Sequence, residues 1–360
     1  MTSTAVLMRW LGPWASAAAV PDTYRREVEV PRAGRAPLKL WVYGPRSRRA
    51  HGTYVFVHGF NPWGPADRRS DRFTRILAHS GFVVVAPFLD ELIDLHMVGH
   101  AGDDLQLAVD HCQELTEHRR GTRPSLFGLS FGSLPTLQVA SRAPDSVAGT
   151  VVYGGYADPV ATVRYAAGLA PPRPDVLSAD PLSRPGVISS LDARAGRPDS
   201  PVRSAWRYFV ESTWGRLDMH EVEAFESFAR QIAATLDGDD ARRFLTGCGL
   251  GDDAEAFFER IVGEAGDMAD LDPRPGFDAI RCPLRVMHGM DDRVIPWTEQ
   301  ETLLAGFASH PDVRHYRTGI FDHTRVHTPL ELIARGPQAL GDLRTLTAMA
   351  GAIAEIGHLA

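Results

Sequence analysis

The sequence predicts an α/β fold: a mostly parallel central sheet flanked by helices, with a helical cap inserted after the sixth strand. Three observations lead there. Strand-like and helix-like segments alternate through residues 23–155, the alternation stops over 156–275, and it resumes over 276–360. Alternation of that kind builds parallel strands joined by helices that cover both faces of the sheet. The expected division is therefore a core of 23–155 and 276–360, a cap of 156–275 and an N-terminal extension of 1–22. The core takes strands from both sides of the interruption, so the cap is an insertion and not a separate unit.

The elements follow in order. Arg26 to Val30 and Leu38 to Tyr43 alternate apolar and polar like paired strands, with Gly34 in the turn between them. Tyr54 to Val57 reads as a short buried strand. Arg69 to His79 carries Phe73, Ile76 and Leu77 on one helical face. Phe82 to Ala86 is a further strand. Asp103 to His118 places Leu105, Ala108, Val109, Cys112 and Leu115 at helical spacing. Ser125-Leu126-Phe127 is a strand, a helix starts soon after Ser130, and Val147 to Val152 is the sixth strand. Over the insertion, Val222, Phe225, Ala229, Ile232 and Leu236 form one apolar stripe, and Phe257, Phe258, Ile261 and Val262 suggest another. Leu284 to Met287 and Val313 to Tyr316 resume the sheet. Capping boxes are expected at Thr298 with Glu301 and at Thr328 with Glu331, the second with Pro329 at the first helical position.

Composition narrows the function. The chain has 360 residues, 44% of them apolar, which is enough for a sizeable core. Net charge is −7 and the basic runs are no longer than Arg-Arg, so nucleic acid is not expected as a partner. Lys39 is the single lysine, which reads as codon bias. Cys112, Cys248 and Cys282 are too few and too scattered for a disulfide framework or a zinc site, which fits a reducing compartment. The apolar start Ala5 to Leu11 is interrupted by Arg9 and broken by Pro13, so no secretory signal is expected, and no run of 18 apolar residues spans a membrane. A cytoplasmic location is the expectation, with no metal and no cofactor.

The chemistry is concentrated in four landmarks. Gly128-Leu129-Ser130-Phe131-Gly132 reads G-x-S-x-G between a strand and a helix, the setting of a serine raised on a tight turn. A serine hydroxyl becomes a nucleophile when a histidine takes its proton and a carboxylate orients that histidine. His288-Gly289-Met290-Asp291-Asp292 follows the Leu284 strand, and Asp322-His323 follows the Val313 strand. Val57-His58-Gly59-Phe60-Asn61 follows the third strand. Its Phe60 N–H and the N–H of Phe131 are the expected donors to a developing oxyanion.

These motifs, in this order, resemble the α/β-hydrolase superfamily over residues 23–155 and 276–360. The resemblance implies Ser130 as nucleophile, His323 as general base and acid, and Asp292 as the orienting carboxylate. It implies a serine hydrolase that cleaves a carboxylic ester or thioester, a small molecule, through an acyl-enzyme. An acyltransferase using the same three residues and a non-catalytic ligand-binding protein are the alternatives; peptide and carbon–carbon bond hydrolysis are not selected by any motif. A dehalogenase would want a carboxylate where Ser130 stands. The chain departs from the family at Ala86-Pro87-Phe88-Leu89-Asp90-Glu91, where an acidic, glycine-rich turn is usual, and at Asp322, where a glycine is usual.

Other residues compete or read as structural. His327, one helical turn beyond His323, is a second candidate base, and Asp291 and Asp158 are candidate orienting acids. His58 and His288 are expected to stabilise loops. His96 and His100, with Asp103 and Asp104, are read as solvated residues, since Gly99 lies between the histidines and no glutamate accompanies them. Trp206, Tyr208, Phe209, Trp214, Phe225 and Phe228 are expected to pack helices, one or two of them lining an apolar pocket. The apolar residues Leu340, Leu343, Ala350 and Ile353 of the last helix can face the core or a partner, and the oligomeric state is left open.

Overall fold

Eight strands form one sheet in the order β1-β2-β4-β3-β5-β6-β7-β8, in a computed structural model that describes residues 1–46, 49–116, 123–323 and 327–360. β1 (Thr23–Arg32) and β2 (Arg35–Pro45) are an antiparallel hairpin that turns at Gly34, whose φ of +68° suits a residue without Cβ. β2 joins β4 (Val83–Pro87) antiparallel. From there every pairing is parallel, through β3 (Thr53–Val57), β5 (Ser125–Leu129), β6 (Thr150–Tyr153), β7 (Leu284–Gly289) and β8 (Val313–Thr318). β3, β4 and β7 are buried along nearly their whole length, as strands covered on both faces must be. The mostly parallel sheet flanked by helices is the predicted architecture.

Helices Ala101–Asp110 and Ser133–Arg142 cover one face, packing Leu105, Ala108, Leu134 and Leu137 against Val55 and Val57. Helices Arg68–His79 and Gln338–His358 cover the other, with Ile76, Leu77, Ile353 and Ile356 around Tyr54 and Phe56. Each fully buried Leu, Ile or Phe side chain contributes about 1.5–3 kcal/mol of transfer free energy. Helix Ser3–Leu11 joins this second layer, where Leu7 is fully buried. In the last helix Ala350 and Ile353 are buried in that core, while Leu340 is exposed.

Between β6 and β7 the described residues hold six α-helices and no strand: Pro159–Ala166, Ser183–Arg194, Pro201–Thr213, Val222–Ala233, Gly238–Gly247 and Ala254–Ala265. Their aromatic residues pack one helix on the next. Trp206 and Phe209 are fully buried, Trp206 stacks over Phe244, and its indole N–H donates to the Phe244 carbonyl at 3.0 Å. Tyr208 is exposed, and so is Val222 at the start of its predicted stripe.

Two local expectations change. The single helix expected over Asp103 to His118 is two, Ala101–Asp110 and Cys112–Thr116, and His118 lies outside the described residues. The box at Thr328–Glu331 forms in both directions, but the one at Thr298 does not. There the chain already turns at Pro296, whose carbonyl accepts from the Glu299 N–H, so Thr298 sits inside the first turn instead of capping it. Glu301 instead accepts from the Arg317 guanidinium at 3.1 Å.

Candidate active site

Ser130 stands at the C-terminal end of β5, where the strand turns into the short helix Ser130–Gly132 and then Ser133–Arg142. Its φ is +55°, a conformation that costs a non-glycine residue about 1–3 kcal/mol and persists only where the surroundings enforce it. The glycines enforce it by close approach. A Cβ on Gly132 would sit 2.4 Å from the His58 carbonyl oxygen, and one on Gly128 would sit 2.4 Å from Thr136 Oγ1. The elbow backbone is thereby pressed onto the turn after β3. A Cβ on Gly59 would lie 3.0 Å from Ser130 Cβ and 3.5 Å from its Oγ. Phe60 and Phe131 bracket this junction with ring centroids 5.3 Å apart, and Phe131 packs on Tyr156 at 5.1 Å. The Phe131 N–H lies in the first turn of its helix, where backbone donors have no intrahelical acceptor.

Asp292 and His323 meet across the ends of β7 and β8. His323 Nδ1 is 2.7 Å from Asp292 Oδ2, a charge-assisted distance. The other carboxylate oxygen of Asp292 accepts the N–H groups of Val294 and Ile295, both at 2.9 Å. Burial alone would push the Asp292 carboxyl up, yet the adjacent His323 and the hydrogen bonds from His323 and His288 hold it well below the usual carboxylate range. With the carboxylate ionised, the His323 hydrogen sits on Nδ1 and leaves Nε2 to accept a proton. Gly154, one residue beyond the Leu129–Tyr153 pairing of β5 and β6, takes φ +59° beside this pair. A Cβ there would come 3.4 Å from Asp292 Oδ2 and 3.5 Å from His323 Nδ1, ordinary contact distances, so the end of β6 packs directly beside the pair and it is the positive φ that suits a glycine.

The competing candidates are occupied elsewhere. His327 Nε2 is 3.1 Å from Asp291 Oδ2, not beside Asp292, and the Arg335 guanidinium binds the same Asp291 oxygen. Asp158 caps helix Pro159–Ala166 by accepting from the Ala161 N–H at 2.9 Å. His58 is fully buried, with Nδ1 2.7 Å from the Gly59 carbonyl and Nε2 accepting from the Leu89 N–H at 3.3 Å. Burial pushes its pKa down to about 4, so it is neutral and holds the β3 turn against the loop after β4. Asp103 pairs with Arg142, and Asp104 with Arg32 and Arg35. Among the described residues no group of three or more His, Cys, Asp or Glu is arranged to hold a metal ion.

Sequence reasoning missed the contacts that the helical stretch makes here. Tyr165 donates its hydroxyl hydrogen to the Asp292 carbonyl at 3.3 Å, the Asp180 N–H donates to the Arg293 carbonyl at 2.8 Å, and the Trp297 indole donates to the Asp175 carbonyl at 3.0 Å. No sequence signal marks those pairings. The Asp-x-Val-Ile turn did carry one, since an aspartate accepting from the N–H two residues on is a common turn device.

Among solved structures, the same architecture recurs. The acylaminoacyl peptidase of Pyrococcus horikoshii matches at a TM-score of 0.51 and 13% identity, over 93% of this chain and 41% of that one. The 2,6-dihydroxy-pseudo-oxynicotine hydrolase matches at 0.50 and 15%, over 94% of this chain and 68% of that one. A puromycin-hydrolysing peptidase of Mycobacterium tuberculosis matches at 0.50 and 14%, over 94% and 41%. This chain has the α/β-hydrolase fold. It spans less than half the length of the two peptidases. No protein-family model and no curated protein sequence matches the chain. Ser130, Asp292 and His323 all follow the C-terminal ends of parallel strands, where open α/β sheets place their ligand sites. Among the described residues no helix is long and apolar enough to cross a membrane.

Proposed function

We propose that this chain is a serine hydrolase acting on a small carboxylic ester or thioester, with Ser130 as nucleophile, His323 as base and acid, and Asp292 as the orienting carboxylate. The observation that carries the proposal is the left-handed backbone of Ser130 on its strand-to-helix turn, two strand-ends from a buried Asp292–His323 pair at 2.7 Å. The turn requires that conformation but not a serine, since a glycine would hold a φ of +55° without strain.

In this reading Ser130 Oγ attacks the acyl carbon while His323 Nε2 takes its proton. The oxyanion forms between the N–H groups of Phe60 and Phe131; losing one such donor typically costs about 2.7–4 kcal/mol of barrier. His323 then protonates the departing alcohol or thiol; it next takes a proton from a water whose oxygen attacks the acyl carbon, and gives that proton to Ser130 Oγ as the acyl–Oγ bond breaks and the acid leaves. Ser130 is 4% exposed, so substrate reaches it under the helices that follow β6, and we assign 156–275 the role of a cap. Tyr165 and the Asp175–Asp180 stretch touch the loop that carries Asp292, which supports that role. The buried aromatics Phe60, Phe131 and Tyr156 beside Ser130 favour an apolar acyl group.

A fluorophosphonate with mass-spectrometric site mapping tests the proposal. Stoichiometric labelling at Ser130 in the wild type and none in Ser130→Ala supports it, and a panel of p-nitrophenyl esters, thioesters and aryl amides then sorts the leaving group. Folded wild-type protein that is not labelled, with or without the 156–275 helices loosened by substitution, overturns it.

A further inference from the structure

We infer that His288 is a positioning residue for the Asp292 carboxylate, its ring N–H being a second one directed at the oxygen that His323 uses. The inference rests on the reading of Asp292 as the orienting acid. His288 is the penultimate residue of β7 and is fully buried, and nothing in the chemistry of ester cleavage calls for a histidine there.

The geometry closes on itself. His288 Nε2 is 2.9 Å from the Ile295 carbonyl oxygen and 3.4 Å from Asp292 Oδ2. A carbonyl only accepts, so the ring hydrogen is on Nε2, and the Asp292 carboxylate lies beside that N–H at the longer distance. The Ile295 N–H in turn donates to Asp292 Oδ1 at 2.9 Å. One residue, Ile295, therefore ties both partners: its carbonyl holds the ring that faces Oδ2 and its N–H holds Oδ1. Asp292 is therefore held at Oδ1 by backbone N–H groups and has the His288 ring 3.4 Å from Oδ2. Among the described residues His288 Nδ1 has no hydrogen-bond partner that would draw the hydrogen to that side.

The charged groups around the cluster belong to three elements. Asp292 faces His288 from the loop after β7 and Glu299 from helix Thr298–Gly306, the latter accepting the Ala157 and Asp158 N–H groups at 2.9 and 2.8 Å. His323 faces Asp292 from the loop after β8, and Tyr153 and Tyr165 come close enough to the Asp292 charge to be held protonated by burial and by that charge. A donor on Oδ2 spreads the carboxylate charge over two rings. Without it, the Asp292 charge acts on the His323 ring alone.

The test uses His288→Leu, which keeps bulk and removes the donor, and His288→Gln, whose amide N–H reaches nearly the same point. The readout is the second-order rate of fluorophosphonate labelling at Ser130 against pH. We expect His288→Leu to label about tenfold more slowly, the scale on which outer partners of site residues act, with its acid limb moved to higher pH, and His288→Gln to restore both. An unmoved acid limb in folded His288→Leu, or Gln and Leu variants that behave alike, overturns the inference. Nitrogen-15 histidine NMR of the wild type adds a check that needs no variant: a hydrogen on Nδ1 in place of Nε2 at neutral pH also overturns it. Wild-type protein that is not labelled at all would sink the serine-hydrolase reading instead, so the two failures are separable.

Discussion

Two adjacent aspartates end in two histidines four residues apart, and the two pairs are built differently. Asp292 is fully buried, its Oδ1 is filled by two backbone N–H groups, and its Oδ2 faces rings only. Asp291 is about a quarter exposed and shares one oxygen between His327 and the Arg335 guanidinium. Arg335 also binds the Gly319 carbonyl and Asp342, and Asp342 accepts the Gly319 N–H at 2.8 Å. The first pair holds one proton acceptor in one orientation; the second joins the start of the His323 loop to the helices beyond it. Burial with both oxygens engaged fixes the orientation of a carboxylate and its histidine, whereas a quarter-exposed carboxylate beside a permanent cation makes an anchor.

Removing the histidines separates the pairs most sharply. His323→Ala should lower turnover of an accepted p-nitrophenyl ester by about 10⁶-fold, the scale of losing a whole triad member, and Ser130→Ala likewise. His327→Ala should stay within about tenfold, because a partly exposed pair contributes about 0.2–1 kcal/mol. Comparable losses in both variants would erase the distinction. The acids come next: Asp292→Asn should cost about 10⁴ in kcat through the wrong histidine tautomer, whereas Asp291→Asn changes kcat by less than about tenfold. Steady-state kinetics at matched pH decides this.

Arg335→Leu strikes the anchor alone. It leaves the Gly319 carbonyl and two carboxylates short of a partner, at about 1–3 kcal/mol, and should lower Tm by several degrees while the pH profile of turnover keeps its shape. An altered profile with unchanged Tm would move Arg335 into the base's own environment. The smallest effect is on acid stability. Both carboxyls are held below their ordinary value of 3.8, Asp292 despite its burial and Asp291 by the His327 hydrogen bond first. Each then contributes its stability in full above that value and loses it as pH falls through the lower folded one. Urea midpoints between pH 2 and 6 should show wild type and Asp292→Asn converging below 3.8, and Asp291→Asn converging less.

The fold was legible because buried parallel strands and their covering helices write different periods into the chain. Val83 to Pro87 is a short apolar run, Leu284 to Met287 carries Leu284, Val286 and Met287, and Arg68–His79 repeats at helical spacing. Where local signals were weak or doubled, reading failed: Thr298 offers the right cap residue one position too late, because Pro296 had already begun the turn. Of the candidate site, Ser130, Asp292 and His323 were nameable from motif order, but nothing local distinguished His323 from His327, or Asp292 from Asp291.

What the sequence by itself determined is the set of strand ends and the residue types placed on them, since turn glycines and apolar periodicity are local properties. Which acid faces which histidine was decided by tertiary structure alone. That choice depends on the strand order that sets β6, β7 and β8 side by side, and on Arg335 reaching from beyond the loop to claim Asp291. Charge and burial at a point in space are sums over distant segments, and no window of the chain contains them.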